Sequence, residues 1–132
     1  MSQSAPANLR YTREHEWTLA QGGEVTVGIT AFAVEQLGDV TLVHFDVKVG
    51  DDVGTGKPFG TIESVKTLSD LYAPVAGRVI RINQALATKP ELVNEDCYGA
   101  AWMIVIAPSD PKEIDRLMDA RAYEAHEQAS AH

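Results

Sequence analysis

Turn-forming residues interrupt this chain so often that a long continuous helix or strand has no room through most of its length. Gln21-Gly22-Gly23 separates Trp17-Thr18-Leu19 from Glu24-Val25-Thr26-Val27-Gly28-Ile29, the pattern of a hairpin. Val40 to Phe45 is a further β-rich run, and Gly50 to Gly56 then forms a turn-dense loop around Gly50, Gly54 and Gly56. Phe59 to Ile82 reads as three strands, broken near Val65-Lys66-Thr67 and again from Pro74 to Gly77. Trp102 to Ala107 is a short, continuously apolar strand expected to be buried on both faces. Short strands with turns roughly every 8–12 residues predict a mainly β chain, folded as a sandwich or a flattened barrel.

Helices fill the remaining gaps. Thr30 caps a short one whose apolar positions are Phe32, Val34 and Leu37, and Gly38 ends it. Ala85 to Tyr98 has weak periodicity, with Pro90 able to open one turn. Asp110-Pro111-Lys112-Glu113 has the order of a helix start, and Ile114, Leu117, Met118 and Ala122 recur at helical spacing. A helical tail from about residue 110 is therefore expected, with Asp119 able to cap a second segment. A faint repeat links Gly38-Asp39-Val40-Thr41-Leu42-Val43 with Gly77-Arg78-Val79-Ile80-Arg81-Ile82. It suggests two similar half-sheets with Lys66 near their junction.

A chain of 132 residues suits one domain. The expected division is a flexible N-terminus over residues 1–8 and a single domain over 9–132 that includes the tail. Nineteen acidic residues against eleven Lys and Arg give a net charge of -8, which repels phosphate backbones and anionic lipid. Neither nucleic acid nor membrane is expected as a partner, and the chain is expected to be a monomer. Cys97 is the only cysteine, so an internal disulfide and a multi-cysteine metal site are excluded. Met1 to Asn8 carries neither a basic residue nor an apolar run. The expectation is a bacterial cytoplasmic protein.

Catalytic motifs fail one after another. Gly56-Lys57 invites a phosphate-loop reading, yet Asp51 falls where its first glycine belongs and Pro58 where its Ser/Thr belongs. His15, His44, His126 and His132 are dispersed without metal-ligand spacing, and solvated histidines are the expectation. No nucleophile, base and orienter assemble. The chain is expected to be no enzyme.

One segment stands apart: Glu63-Ser64-Val65-Lys66, followed by Ser69-Asp70, Ala73-Pro74 and Gly77. A lysine between two β-rich runs sits at or near a hairpin tip. Here the chain resembles the H protein of the glycine cleavage system, whose lipoylation region has this pattern. The likeness extends through Tyr11-Thr12, Glu14-His15-Glu16-Trp17, Val27-Gly28-Ile29-Thr30, Glu35-Gln36-Leu37-Gly38-Asp39 and Val49-Gly50-Asp51. It continues through Asn94-Glu95-Asp96, Tyr98-Gly99, Trp102 and Pro108-Ser109-Asp110-Pro111, and so spans residues 9 to 125 in one order. Departures fall at Leu42 to Lys48, at Cys97 and at Ala100-Ala101, outside the attachment motif.

The resemblance implies a lipoyl/biotinyl-type β-sandwich carrying lipoate as an amide on Lys66. It implies a non-catalytic carrier that moves the methylamine group of glycine from glycine decarboxylase to a tetrahydrofolate-dependent aminomethyltransferase. Dihydrolipoyl dehydrogenase would reoxidise the arm, and a lipoate-attaching enzyme would install it. Glu63 is the expected recognition element for that attaching enzyme. Glu14, Glu16 and Asp70 are the expected contacts of the loaded arm, because its amine end is cationic. Gly77 reads as a turn residue, and Trp17 and Trp102 as core or near-core packing. A lipoyl domain of a 2-oxoacid dehydrogenase would be shorter and would lack the tail. A biotin carrier would place Met on both sides of the lysine, where Val65 and Thr67 stand. An H-like protein that relays lipoyl groups to other enzymes would present the same lysine motif.

Overall fold

The computed structural model describes residues 5–130. Among these described residues, nine strands form two antiparallel sheets. The larger sheet contains β1 (Arg10–Tyr11), β2 (Glu16–Gln21), β3 (Glu24–Ile29), β5 (Asp52–Val53), β8 (Gly77–Ile82) and β9 (Ile104–Pro108), in the order β1-β2-β3-β9-β8-β5. The smaller sheet contains β4 (Val40–Phe45), β6 (Pro58–Ser64) and β7 (Leu68–Tyr72), in the order β4-β6-β7. No hydrogen-bonded ladder joins the two, so the architecture is a sandwich rather than a closed barrel. The two segments of the faint repeat become β4 and β8, one in each sheet. The sheets themselves are unequal.

Local chemistry accounts for the elements. The β2–β3 turn runs through Gly22 and Gly23, both with positive φ, the requirement of the tightest hairpin connections. Helix α1 (Ala31–Leu37) starts where the Thr30 hydroxyl accepts a bond from the Ala33 amide, and ends at Gly38 with φ 75°. Two single-turn helices follow, α2 (Ala85–Thr88) and α3 (Leu92–Glu95). Met103 to Ile106 are buried, as their continuous apolar run predicts, because β9 lies between β3 and β8 beneath the smaller sheet's core face.

The tail is helical in two segments, opened by Asp110 and Asp119 as the sequence allows. Asp110 caps only a 3-10 turn over Pro111–Arg116, and α4 (Ala120–Ser130) forms after Asp119, whose side chain accepts from the Ala122 amide. The break falls at Met118, which pairs with Tyr11 through two backbone bonds of 2.8 and 3.0 Å. Glu113 does not close a capping box, because its carboxylate accepts from the Thr55 hydroxyl and the Ala76 amide. Gly77 is no turn residue: it opens β8 opposite Pro108, and a Cβ there would collide with the Ala107 carbonyl. At the other end, Ala5 is buried with Leu9, Tyr11, Trp17 and Tyr123, and the Pro6 carbonyl accepts from the Tyr11 hydroxyl. Residues 1–4 of the expected flexible N-terminus, and His132, lie outside the described residues.

Trp17 shows how tightly the second core cluster constrains sequence. It pairs across the ladder with Gly28, and a Cβ added at Gly28 would lie 2.5 Å from the indole ring. The indole N–H meanwhile donates to the Cys97 carbonyl at 2.9 Å. Gly28→Ala should therefore push the ring off that carbonyl and cost about 2 kcal/mol. Urea unfolding followed by tryptophan fluorescence measures this; an unchanged midpoint would show that the ring repacks freely.

Candidate functional site

Lys66 occupies the tip of the β6–β7 hairpin, exposed and in no ion pair among the described residues. Its position relative to the sheets differs from expectation: it projects beyond one end of the smaller sheet rather than sitting at a junction of two half-sheets. Ser64 builds the tip. The Ser64 amide donates to the Thr67 carbonyl at 2.9 Å, and its hydroxyl accepts from the Lys66 and Thr67 amides at 3.2 Å each. A serine that is 8% exposed thus caps the turn from inside while Val65 and Lys66 point outward.

The tip also leans on the body. The Val65 amide donates to the Asp39 carbonyl at 3.0 Å, and the aliphatic stem of Lys66 passes beside Gly38. The Asn94 side chain clasps this same corner, donating to the Gly38 carbonyl and accepting from the Val40 amide, both at 2.9 Å. Three segments remote in sequence therefore hold one turn. Glu63 is exposed on β6, in register with Leu42 of β4 and Leu68 of β7.

Beside the tip, a groove of about 320 Å³ runs between β7, α1 and the chain entering β2. It brings together all three acids expected near the arm: Glu14, Glu16 and Asp70. Phe32, Ile62 and Leu71 supply apolar wall, and Thr67 continues the lining to the residue next to Lys66. Glu14 and Asp70 are exposed at its rim.

Glu16 is different from the surface acid that its neighbours in sequence suggest. It is 2% exposed, its Oε1 accepts from the Thr12 hydroxyl at 2.7 Å, and its Oε2 accepts from the Tyr72 amide at 3.1 Å. That second bond ties β2 of the larger sheet to β7 of the smaller one. Burial pushes the carboxyl up to about 8, the two hydrogen bonds opposing the rise and nearby Glu14 adding to it.

His15, too, departs from the expected solvated histidine. It stands at φ 68°, a left-handed conformation uncommon for a residue other than glycine. The ring packs 4.6 Å from Phe32 and stacks 5.2 Å from His126, and Nδ1 shares a 2.7 Å hydrogen bond with the Tyr123 hydroxyl. Burial, with His126 adding to it, lowers its pKa to about 4. Tyr123 also bonds the Thr30 hydroxyl at 2.7 Å and stacks on Tyr11 at 4.5 Å. Helix α4 thereby supports the wall of the groove. The roles of Asn94, His15 and Tyr123 could not be read from local sequence, since their partners lie 54 to 108 residues away.

Among the described residues there is no group of three or more metal-ligating side chains, and no helix is long and apolar enough to cross a membrane. The glycine cleavage H-protein family model matches residues 9–130. The chain belongs to the glycine cleavage H-protein family. It is 52% identical over 125 residues to a glycine cleavage system H protein of Myxococcus xanthus, covering 95% of this chain and 96% of that protein. It is 50% identical over 121 residues to one of Bacillus licheniformis, covering 92% and 94% respectively. A crystal structure of a glycine cleavage system H protein from Mycobacterium marinum superposes with a TM-score of 0.85 at 37% identity, covering 94% of this chain and 99% of that one. Membership makes the chain a carrier component of the glycine cleavage system, and the mainly β sandwich with its C-terminal helix is the family's fold.

The raised carboxyl of Glu16 gives a signed prediction. The folded chain holds this proton more tightly than the unfolded one, so the associated stability is full below the ordinary carboxyl value of 4.5. It is lost as pH rises through about 8. Glu16→Gln should remove that loss, so its melting temperature relative to wild type should climb between pH 5 and pH 9. A difference independent of pH would mean that Glu16 is ionised throughout.

Proposed function

We propose that Lys66 is the lipoylated residue and that the protein shuttles the methylamine group of glycine from the decarboxylase to the aminomethyltransferase. The supporting observation is the tip itself. An exposed lysine with no competing ion pair among the described residues stands on a turn held by Ser64, Asp39 and Asn94. A rigid turn presents the Nζ atom at a reproducible position, and a free amine is what amide formation consumes. Ser64, Asp39 and Asn94 would hold the turn that bears the lipoate, whose disulfide would supply the electron-accepting site for the methylamine group and would be left as a dithiol for dihydrolipoyl dehydrogenase to reoxidise.

The chain's own part is presentation and shelter. The groove starts beside Lys66, offers Phe32 and Ile62 to an aliphatic arm, and ends among acids suited to an ammonium group. Glu14 and Asp70 at the rim take that electrostatic role, while Glu16 is committed to Thr12 and Tyr72 and holds the wall in place. One exposed carboxylate facing an amine contributes about 1 kcal/mol or less, so retention of the loaded arm rests on the whole groove. The expected division of the chain stands as a proposal too: one carrier domain from residue 9 onward, with the tail as part of it. An additional role in relaying lipoyl groups would use the same lysine and the same turn.

Incubation with lipoate, ATP and a lipoate–protein ligase should add one lipoyl mass to the wild type and none to Lys66→Arg, read by intact-mass spectrometry with peptide mapping. Modification at Lys57 or Lys89 instead would overturn the assignment. Replacing Glu14 and Asp70 together by their amides should leave lipoylation intact and speed escape of the carbon unit as formaldehyde a few-fold. An unchanged escape rate would remove both acids from the account.

A further inference from the structure

We propose that a second cleft, between the chain entering β2, the end of β7 and the tail, binds a small aromatic carboxylate through Arg13 and Arg116. The inference goes beyond the carrier reading and does not depend on Lys66. The cleft has a volume of about 480 Å³, larger than the groove beside the tip, and residues 65–67 of the tip take no part in it. A concave site of this size, walled mainly by apolar and aromatic groups with a few polar ones, suits a small organic ligand.

Segments remote in sequence build the cleft, and hydrogen bonds fix them relative to one another. Tyr11 and Met118 exchange backbone bonds of 2.8 and 3.0 Å, and the Arg10 guanidinium donates to the Leu117 carbonyl at 3.2 Å. The Gly56 amide donates to the Ala73 carbonyl, and the Ala73 amide to the Lys57 carbonyl, both at 2.8 Å. Glu113 ties the tail to this side, its carboxylate accepting from the Thr55 hydroxyl at 2.6 Å and the Ala76 amide at 3.2 Å. A site held in place before the ligand arrives avoids the entropic cost of ordering it.

The lining selects the ligand's chemistry. Tyr72, Pro74, Leu117 and Met118 offer an apolar and aromatic wall to a flat body. Arg13 and Arg116 reach the same cleft from opposite ends of the chain. Neither makes a side-chain hydrogen bond or ion pair among the described residues, whereas Arg10, Arg78 and Arg81 are all engaged. In a chain of net charge -8, two uncommitted arginines at one concave site favour an anion, and their forked donors match a carboxylate or a phosphate.

Charge counting decides between those two. The acids in the lining are Glu14 and Glu16. Glu16 is buried with both oxygens accepting hydrogen bonds, and burial raises its pKa to about 8, so it carries little charge at neutral pH. Two guanidinium groups then face the single formal charge of Glu14. One net positive charge balances a carboxylate, whereas a phosphate dianion would leave an excess of negative charge beside Glu14. The same two acids line the groove beside the tip, so the two cavities share a wall there.

The test is titration of the whole chain, isotope-labelled for amide NMR, with hippurate as an aromatic monocarboxylate. Its neutral amide, hippuramide, and phenyl phosphate are the comparison probes. Hippurate should bind with a dissociation constant on the order of 0.1 mM and move the amides of Gly56, Ala73 and Met118. Hippuramide should bind roughly ten-fold more weakly, and phenyl phosphate no more tightly than hippurate. Arg13→Gln/Arg116→Gln should weaken hippurate roughly ten-fold, while Arg121→Gln, outside the cleft, and Lys66→Arg should match wild type. The absence of saturable shifts at these amides in the wild type overturns the proposal, as does equal binding of hippuramide or an unchanged affinity in the double variant. Tighter binding of phenyl phosphate also overturns it, assigning the cleft to a phosphate. Loss of binding in Lys66→Arg overturns it by placing the ligand at the tip. Each of these failures leaves lipoylation at Lys66 standing, since intact-mass spectrometry decides that separately.

Discussion

A single buried carboxyl holds the two sheets in the relationship on which the candidate site depends. Glu16 begins β2, yet its Oε2 accepts from the amide of Tyr72 at the end of β7, so the larger sheet grips the edge strand of the smaller one. Burying an acid is costly, and the upward shift of its pKa to about 8 is the signature of that cost. Thr12 offsets part of it by donating to Oε1 and accepting from the Glu16 amide. This contact joins the groove wall to the end of β7, beside the core that both sheets share.

Around that fixed edge, the smaller sheet offers two different surfaces. Its inward side continues the hydrophobic core through Val43, Ile62 and Leu71 and borders the acidic groove. Its outward side is open and carries Leu42, Glu63 and Leu68. The tip between the two faces is held by backbone bonds and by Ser64 and Asn94, which leaves the lysine side chain uncommitted.

The sequence made the frame of this site readable because its signals are local. The Gly22-Gly23 turn, the Thr30 cap with Gly38, and the hairpin around Lys66 each depend on residues within a few positions of one another. The rest depends on distant partners. Glu16 looks like one of a pair of surface acids until Tyr72 is brought against it, and His15 looks solvated until Tyr123 and His126 of the tail pack beside it. The tail shows the competition most directly. Asp110 and Asp119 marked two helical segments, but the Tyr11–Met118 backbone pairing that separates them and limits the first to a 3-10 turn joins opposite ends of the chain. Asn94 was visible as part of a motif, whereas its clasp on Gly38 and Val40 follows only from the placement of α3.

The central claim is that this chain acts as a substrate carried on Lys66 and contributes no chemistry of its own. Exchange of labelled bicarbonate into the carboxyl group of glycine, catalysed by glycine decarboxylase, tests it most directly. The lipoylated protein should support exchange that saturates with its concentration, while the unmodified protein and Lys66→Arg support none above the decarboxylase alone. Equal exchange with the unmodified protein, or none with the fully lipoylated one, would contradict the account.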